Sequence, residues 1–222
     1  MSKTALIIGN SDGIGLGLTQ SLLSGGWSIT GISRSDSEVR HPQYRHIVSE
    51  VQSNTYPEAL KSTLENQVFE LCVYCTGIGE LLDFSNMKKE IEVIEVNLTG
   101  LVTTLAEVLP HMLDHGKGHI IGISSFADEL RSGKGASYHA SKAGFSSYLE
   151  SLTLALRDSP VSITNIRFGF VDTKMAKGDR KPFMMTVDKA VHHIKKCIEK
   201  RPVRYSAPRI AIPFVKLHKL LS

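Results

Sequence analysis

Cysteine, aromatic side chains and long apolar runs are all scarce in this chain of 222 residues, which has three cysteines, 7% aromatic residues and one tryptophan. Three thiols exclude a small disulfide-stapled scaffold and agree with a reducing compartment. Cys72-Val73-Tyr74-Cys75 is formally a Cys-x-x-Cys. It falls in a strand-like run, Glu70 to Cys75, where an offset of three points to opposite faces, so neither redox nor zinc use is expected. No run of about 18 apolar residues is present, which argues against a transmembrane helix. No basic segment followed by an apolar stretch opens the chain, so no signal peptide is expected. Internal repeats, low-complexity tracts and linkers are also missing. The length then suits one domain over residues 1–222, and a cytoplasmic protein is expected.

Histidines at 111, 115 and 119 are spaced by four, and His192 and His193 are adjacent. Gly116 and Gly118 break the first set across a helix end. These histidines are expected to be solvated or capping, with no metal ligand among them.

What is present begins at the N-terminus. Thr4 to Ile8 is a short apolar run that suits a buried parallel strand. Gly9-Asn10-Ser11-Asp12-Gly13-Ile14-Gly15 follows, and then Leu16, Leu18, Leu22 and Leu23 recur at helical spacing. Strand, glycine turn and helix in that order are the context for dinucleotide binding. Glycines let backbone approach a pyrophosphate, and the free N–H groups and dipole of the helix start receive the anion. The spacing here is Gly-x-x-x-Gly-x-Gly. A second strand pattern, Trp27 to Ser33, ends in Ser33-Arg34-Ser35. In a doubly wound fold the residue after this strand meets the adenosine ribose. Arginine with hydroxyl neighbours suits a 2′-phosphate, because guanidinium grips phosphate in a charged fork. NADP(H) is therefore preferred, and the nearby Asp36 leaves NAD(H) open.

The segment Ser137-Tyr138-His139-Ala140-Ser141-Lys142 sets a phenol and an ammonium four residues apart, one helical turn on one face. A free phenol has a pKa near 10, and a fixed cation nearby lowers it toward the range where a proton donor works best. Alone, this spacing is equally that of a surface tyrosine and a solvated lysine.

Together these motifs resemble the classical short-chain dehydrogenase/reductases over residues 4–175. The Gly9, Gly13 and Gly15 turn looks like that family's cofactor loop, with Ile8 where threonine is usual. Glu50-Val51 resembles the acid-valine pair that contacts adenine, and Cys75-Thr76-Gly77 stands where Asn-Ala-Gly is usual. Asn97 matches the catalytic asparagine, and Ser125 lies 13 residues before Tyr138, the family offset of the catalytic serine. Phe168-Gly169-Phe170-Val171-Asp172-Thr173 resembles the Pro-Gly-x-x-x-Thr segment beside the nicotinamide, with Phe168 replacing proline. The resemblance implies a single-domain, Rossmann-like α/β fold, a doubly wound parallel sheet with helices on both faces. It implies Asn97, Ser125, Tyr138 and Lys142 as catalytic residues. Its cofactor site would take in Gly9, Ser11, Asp12, Gly13, Ile14, Gly15, Ser33, Arg34, Glu50, Val51, Cys75, Thr76, Gly77, Tyr138, Lys142, Gly169, Val171 and Thr173. Loss of the amide at 75 is expected to weaken a tie between strands, and loss of proline at 168 to loosen a turn. Helices around 86–113 and 138–157 are expected to pair two or four subunits.

In the family, specificity follows the Thr173 position. Here that segment, 174–208, is a short loop to about Met185 and then a helical pattern from Thr186 to Lys200. Ser125, Phe126, Phe170 and Met175 are the candidates for substrate contact. Their apolar character suggests a small to medium apolar aldehyde or ketone, and the short lid suggests modest affinity for small polar substrates. The alternative is an NADP(H)-binding sensor or interaction protein with little turnover.

Charge is unevenly placed. Residues 1–173 carry 13 Lys and Arg against 19 Asp and Glu, and residues 174–222 carry 13 against 3, a net of +10. In the tail, 209–222, Phe214, Leu217, Leu220 and Leu221 share a helical stripe. Docking on its own domain or on a second subunit is the favoured reading. Contact with a membrane surface is the lesser one, and no nucleic-acid partner is expected.

Overall fold

The computed structural model describes residues 3–176 and 181–221. Seven strands make one sheet in the order β3-β2-β1-β4-β5-β6-β7, with every pair parallel. They are β1 Thr4–Ile8, β2 Ser28–Ser33, β3 Tyr44–Val48, β4 Leu71–Tyr74, β5 Gly118–Ser125, β6 Val161–Phe168 and β7 Arg204–Ala207. The helices are α1 Gly13–Ser24, α2 Tyr56–Asn66, α3 Lys88–Ile94, α4 Gly100–Asp114, α5 Ala136–Ala155, α6 Val187–Lys200 and α7 Ile212–Leu221. Central strands buried on both faces read as continuous apolar runs, as β1 and β4 do.

Alternation along those strands splits the interior into two cores. Leu6, Ile8, Cys72, Tyr74 and Ile120 face α2, α4 and α5 through Tyr56, Leu60, Leu101, Leu105, Phe145 and Leu149. Ala5, Ile7, Leu71, Val73, Ile121 and Ile123 face α1 and α6 through Leu18, Leu22, Val191 and Ile194. Cys72 belongs to the first core and Cys75 packs against the second, so the two thiols lie on opposite faces of the sheet. Burial pushes both thiols up to about 12, which leaves them protonated and unreactive.

Several expectations are corrected. The helical segment Lys88–Asp114 is long and apolar enough, by length and composition, to cross a membrane. Its apolar stripe, with Val93, Val96, Leu101, Leu105, Val108 and Met112, is buried in the protein. Nor is it one regular helix: a π-turn, Glu95–Thr99, interrupts it and carries Asn97. His119 is neither solvated nor capping. It is 1% exposed on β5, its Nε2 meets Thr164 Oγ1 at 2.9 Å, and burial lowers its pKa to about 4. Phe168 does not loosen the end of β6. It pairs in register with Ser125 on one side and Ala207 on the other and is buried.

At the tail, α7 contacts the 3-10 turn Phe126–Glu129, and Phe214 meets the Phe183 ring at 5.3 Å. Phe214 and Leu217 nevertheless stay exposed. The expected stripe partners Leu220 and Leu221 have side chains outside the described residues, and the expected loop 174–185 is described except for 177–180.

Candidate functional site

The site gathers at the C-terminal edge of the sheet. After β1 the chain turns through Gly9, at φ +84°, and enters α1 at Gly13, at φ +52°, a left-handed region that favours glycine. A Cβ on Gly9 would lie 2.6–2.9 Å from Thr76, and one on Gly15 would collide with the Gly9 carbonyl. The turn is thus closed by backbone against backbone. Asp12 caps α1, accepting from the Gly13 N–H at 2.8 Å, and pairs with Lys174 Nζ at 3.0 Å, which holds its carboxyl below the usual range. The Thr173 methyl stands 3.1 Å from where a Gly13 Cβ would be. The glycine turn and the segment after β6 therefore face each other. A turn with no room for a Cβ, opening on a helix N-terminus, fits a dinucleotide pyrophosphate. Ser11 and Ile14 are half-buried in this turn, and Val171 is buried behind Thr173.

At the adenosine end Arg34 is exposed and has no ion pair among the described residues. Ser33 is buried and its hydroxyl donates to the Ser35 carbonyl at 2.9 Å, so it faces inward rather than toward a ribose phosphate. Glu50 is exposed, whereas Val51 is buried and would meet a Cβ on Gly100 at 2.9 Å. Sequence reasoning missed Asn10, which is buried under Gly31 and donates to the Tyr44 hydroxyl. Tyr44 meets His46 Nδ1 at 3.0 Å, and His46 Nε2 meets the Ser35 carbonyl at 3.1 Å. A carbonyl only accepts, so Nε2 carries the proton and Nδ1 accepts from Tyr44. This chain ties the glycine turn to the loop of Arg34.

Asn97, Ser125, Tyr138 and Lys142 come together beside that turn. Asn97 is buried, accepts from the Ile78 N–H at 2.8 Å, and donates to the Ile78 carbonyl at 2.9 Å and to Ser141 Oγ at 3.0 Å. A Cβ on Gly77 would lie 3.4 Å from Asn97 Oδ1 and 3.5 Å from Lys142 Nζ, so Gly77 is where backbone closes on both. Cys75 continues β4 by donating to the Ile8 carbonyl at 2.8 Å, a backbone tie between strands that does not need the missing amide. Lys142 lies 4.8 Å above the Phe145 ring and donates to the Ile123 carbonyl at 3.0 Å. Its burial lowers its pKa to about 8.

The expected lowering of the phenol by Lys142 is not what this geometry gives. Burial raises the Tyr138 pKa, a hydrogen bond with Ser125 opposes the rise, and Asp128 adds to it. With its ammonium on the Ile123 carbonyl, Lys142 leaves the phenol to Ser125. Tyr138 is then a protonated donor at neutral pH.

On the substrate side, Phe170 and Met175 are exposed, and Met175 Cε lies 3.8 Å from the Gly77 Cβ position. Phe126 differs from expectation. It is buried, with the Arg167 guanidinium 5.6 Å above its ring and Gly169 packed on its edge, so it supports the site from behind. Behind it lies a second feature without a sequence signal, the buried pair of Asp128 and Arg167.

The described fold agrees with comparisons to known proteins. A family model described as short chain dehydrogenase matches residues 3–182. An uncharacterized oxidoreductase of Myxococcus xanthus is 31% identical over 232 residues, covering 95% of this chain and 90% of that protein. A short chain dehydrogenase from Burkholderia cenocepacia, solved in complex with NADP, superposes with a TM-score of 0.87 at 20% identity, covering 97% of this chain and 92% of that one. A Burkholderia phymatum short chain dehydrogenase/reductase, solved in complex with NAD, gives 0.85 at 17% identity over the same shares. With most of its length matched by the family model and a relative above 30% identity along nearly all of it, this chain belongs to the short chain dehydrogenase family of oxidoreductases.

Proposed function

We propose that residues 1–222 act as one NADP(H)-dependent oxidoreductase unit on a small to medium apolar aldehyde, ketone or secondary alcohol, with NAD(H) the weaker cofactor. The observation that carries the reading is the convergence of Asn97, Ser125, Tyr138 and Lys142 beside a glycine turn shaped for a pyrophosphate. Backbone of Gly9 to Gly15 would hold the phosphates, and Arg34 a 2′-phosphate. Thr76, Gly77, Gly169, Val171 and Thr173 would line the nicotinamide end. The cofactor, when bound, supplies or accepts the hydride.

The chain's own groups do the rest. Ser125 donates to the substrate oxygen and fixes its position. Tyr138, kept protonated by burial, gives that oxygen its proton in the reductive direction. A positioned acid of this kind is worth about two to four orders of magnitude in rate. Lys142 holds the nicotinamide ribose. Asn97 ties the Ile78 loop to α5 through Ser141, which fixes the wall on which Lys142 and any proton-relaying water stand. Met175 and Phe170 offer apolar contact at the mouth. A cytoplasmic homodimer or homotetramer is the setting, and nothing in the site favours a sensor without turnover.

The test is oxidation of NADPH and of NADH over a panel of aldehydes and ketones, with Tyr138→Phe and Arg34→Ala as variants. Turnover that drops at least about a hundredfold in Tyr138→Phe supports the reading. So does a preference for NADPH that falls roughly ten- to a hundredfold in Arg34→Ala, the worth of one charged hydrogen bond. NADPH binding without turnover on any compound sinks it.

A further inference from the structure

The end of the chain holds a combination that oxidoreduction does not use. After Glu199 the sequence has six lysines and arginines and no Asp or Glu. Next to β7 lies a cavity of about 680 Å³ whose lining includes His193, Lys196, Lys200, Arg204 and Arg209 and no acidic residue. Arg204 is held by Glu150 at 2.6 Å, but Lys196, Lys200 and Arg209 have no ion pair among the described residues. Cations grouped in a concave site without counter-charge focus a positive potential and attract anions.

Arg209 also opens the 3-10 turn that leads into α7. Three large apolar side chains follow it into water: Ile210 is 62% exposed, Phe214 58% and Leu217 57%. Their offsets of four and three place them along one side of a helical path. Phe183, against the Phe214 ring, extends the ridge. Single exposed apolar residues need no explanation, whereas a contiguous ridge beside a charged site marks an interaction surface.

Two occupants compete. A second copy on a two-fold axis would set this patch against itself. A cavity lining with no acidic residue would then face the same lining, and Lys196, Lys200 and Arg209 would gain no carboxylate from it. An anionic bilayer meets both demands, with hydrocarbon for the ridge and phosphates for the cations. We propose that α7 and the basic cavity beside it form a docking surface for anionic phospholipid bilayers. Ile210, Phe214 and Leu217 enter the boundary between headgroups and acyl chains, and Lys196, Lys200 and Arg209 take the phosphates. Docking stands apart from the oxidoreductase reading. One consequence rests on that reading: α7 touches the turn after Ser125, so the mouth of the site opens at the bilayer and admits carbonyls dissolved in it.

The test is co-sedimentation of the full chain with vesicles of phosphatidylcholine alone and of phosphatidylcholine with phosphatidylglycerol. Three cations at about 1 kcal/mol each give a preference for the anionic vesicles of roughly a hundredfold, weakened by salt. Lys196→Glu with Arg209→Glu abolishes that preference. Phe214→Ser with Leu217→Ser abolishes binding. Both pairs lie on the surface, and an unchanged melting curve and NADPH affinity show that the fold survives. If either pair fails to fold, the other decides. Absence of binding, or equal binding to both vesicles, overturns the proposal. So does loss of an oligomer in light scattering when Phe214 and Leu217 are changed while vesicle binding persists, which assigns the ridge to a second copy. Turnover is measured separately, so a protein that docks but reduces no carbonyl refutes only the reaction assigned above.

Discussion

Asp128 and Arg167 form a two-pronged ion pair, Oδ2 to Nε and Oδ1 to Nη2 each at 2.6 Å, with 2% and 7% of their side chains exposed. Ser146 Oγ donates to the same Oδ2 at 2.6 Å, and Ser124 Oγ lies 2.8 Å from Ser146. Ser146 is one turn beyond Lys142 and two beyond Tyr138 on α5, and Ser124 precedes Ser125 on β5. The pair therefore ties both carriers of the proposed chemistry to β6. From the other side His139 Nδ1 donates to the carbonyls of Ala127 and Leu130, at 3.0 and 2.9 Å.

Removing Asp128 leaves the buried Arg167 guanidinium with Glu129 as its remaining carboxylate, at 2.7 Å. With Glu129 retained, Asp128→Ala is expected to lose about 1.5–3 kcal/mol of stability in urea unfolding, below the roughly 3–5 kcal/mol of a fully orphaned charge, while an exposed pair such as Lys61 with Glu58 is worth under about 1 kcal/mol. A second effect separates electrostatics from packing. Asp128 raises the Tyr138 pKa, so Asp128→Asn moves the phenol limb of the rate profile to lower pH, with Ser125, Lys142 and His139 unchanged around it. An unmoved limb, measured alongside a loss of stability, restricts Asp128 to holding the fold.

His119 sets a pH dependence of stability that the site does not share. In the folded chain it stays neutral down to about pH 4, because burial disfavours its charge. Unfolded, it takes up a proton near pH 6.5. Between those values the unfolded chain holds more protons, so stability falls as pH drops through that window, by up to about 3 kcal/mol. His111 and His193 are also lowered, by partial burial and by neighbouring histidines, and lean the same way. The difference between wild type and His119→Gln isolates the buried one. Urea midpoints at pH 7.5 and 5 that fall equally in both proteins would contradict it.

The parts of this fold that were legible in the sequence are those set by local pattern. Runs such as Thr4 to Ile8 and Gly118 to Ser124 suit strands buried on both faces, and the glycine turn between strand and helix needs no partner to be recognised. Features built by residues far apart in the chain were not. Asp128 meets Arg167 across 39 residues and Asn10 meets Tyr44 across 34, and neither residue type announces its partner. His119 was misread because a spacing of four was followed past a helix end into a strand, where the side chain turns inward. Phe168 was read from the proline it replaces, although pairing on both sides of β6 holds the backbone whichever residue stands there. The cation at Lys142 was placed on the right helical face, but the acceptor it chose, the Ile123 carbonyl, belongs to another strand.

That choice makes cofactor affinity a titration of Lys142. Burial leaves its ammonium with a pKa of about 8, so near that pH half of the free protein has lost the charge. A dinucleotide carrying phosphates favours the protonated form, which raises the pKa in the complex. Protons are then taken up on binding between pH 8 and the bound value, and NADPH affinity falls as pH rises through that window, by up to roughly tenfold per pH unit. Cys75 and Asp128 face the same ammonium and oppose the shift from burial. Cys75 stays protonated to about 12 and does not titrate there. Calorimetric titration at pH 8.5 in two buffers of different ionisation enthalpy reads the uptake directly. Wild type is expected to absorb a fraction of a proton per NADPH bound and Lys142→Met none. Equal uptake in both would place the titrating group elsewhere, with Tyr138 the next to be changed.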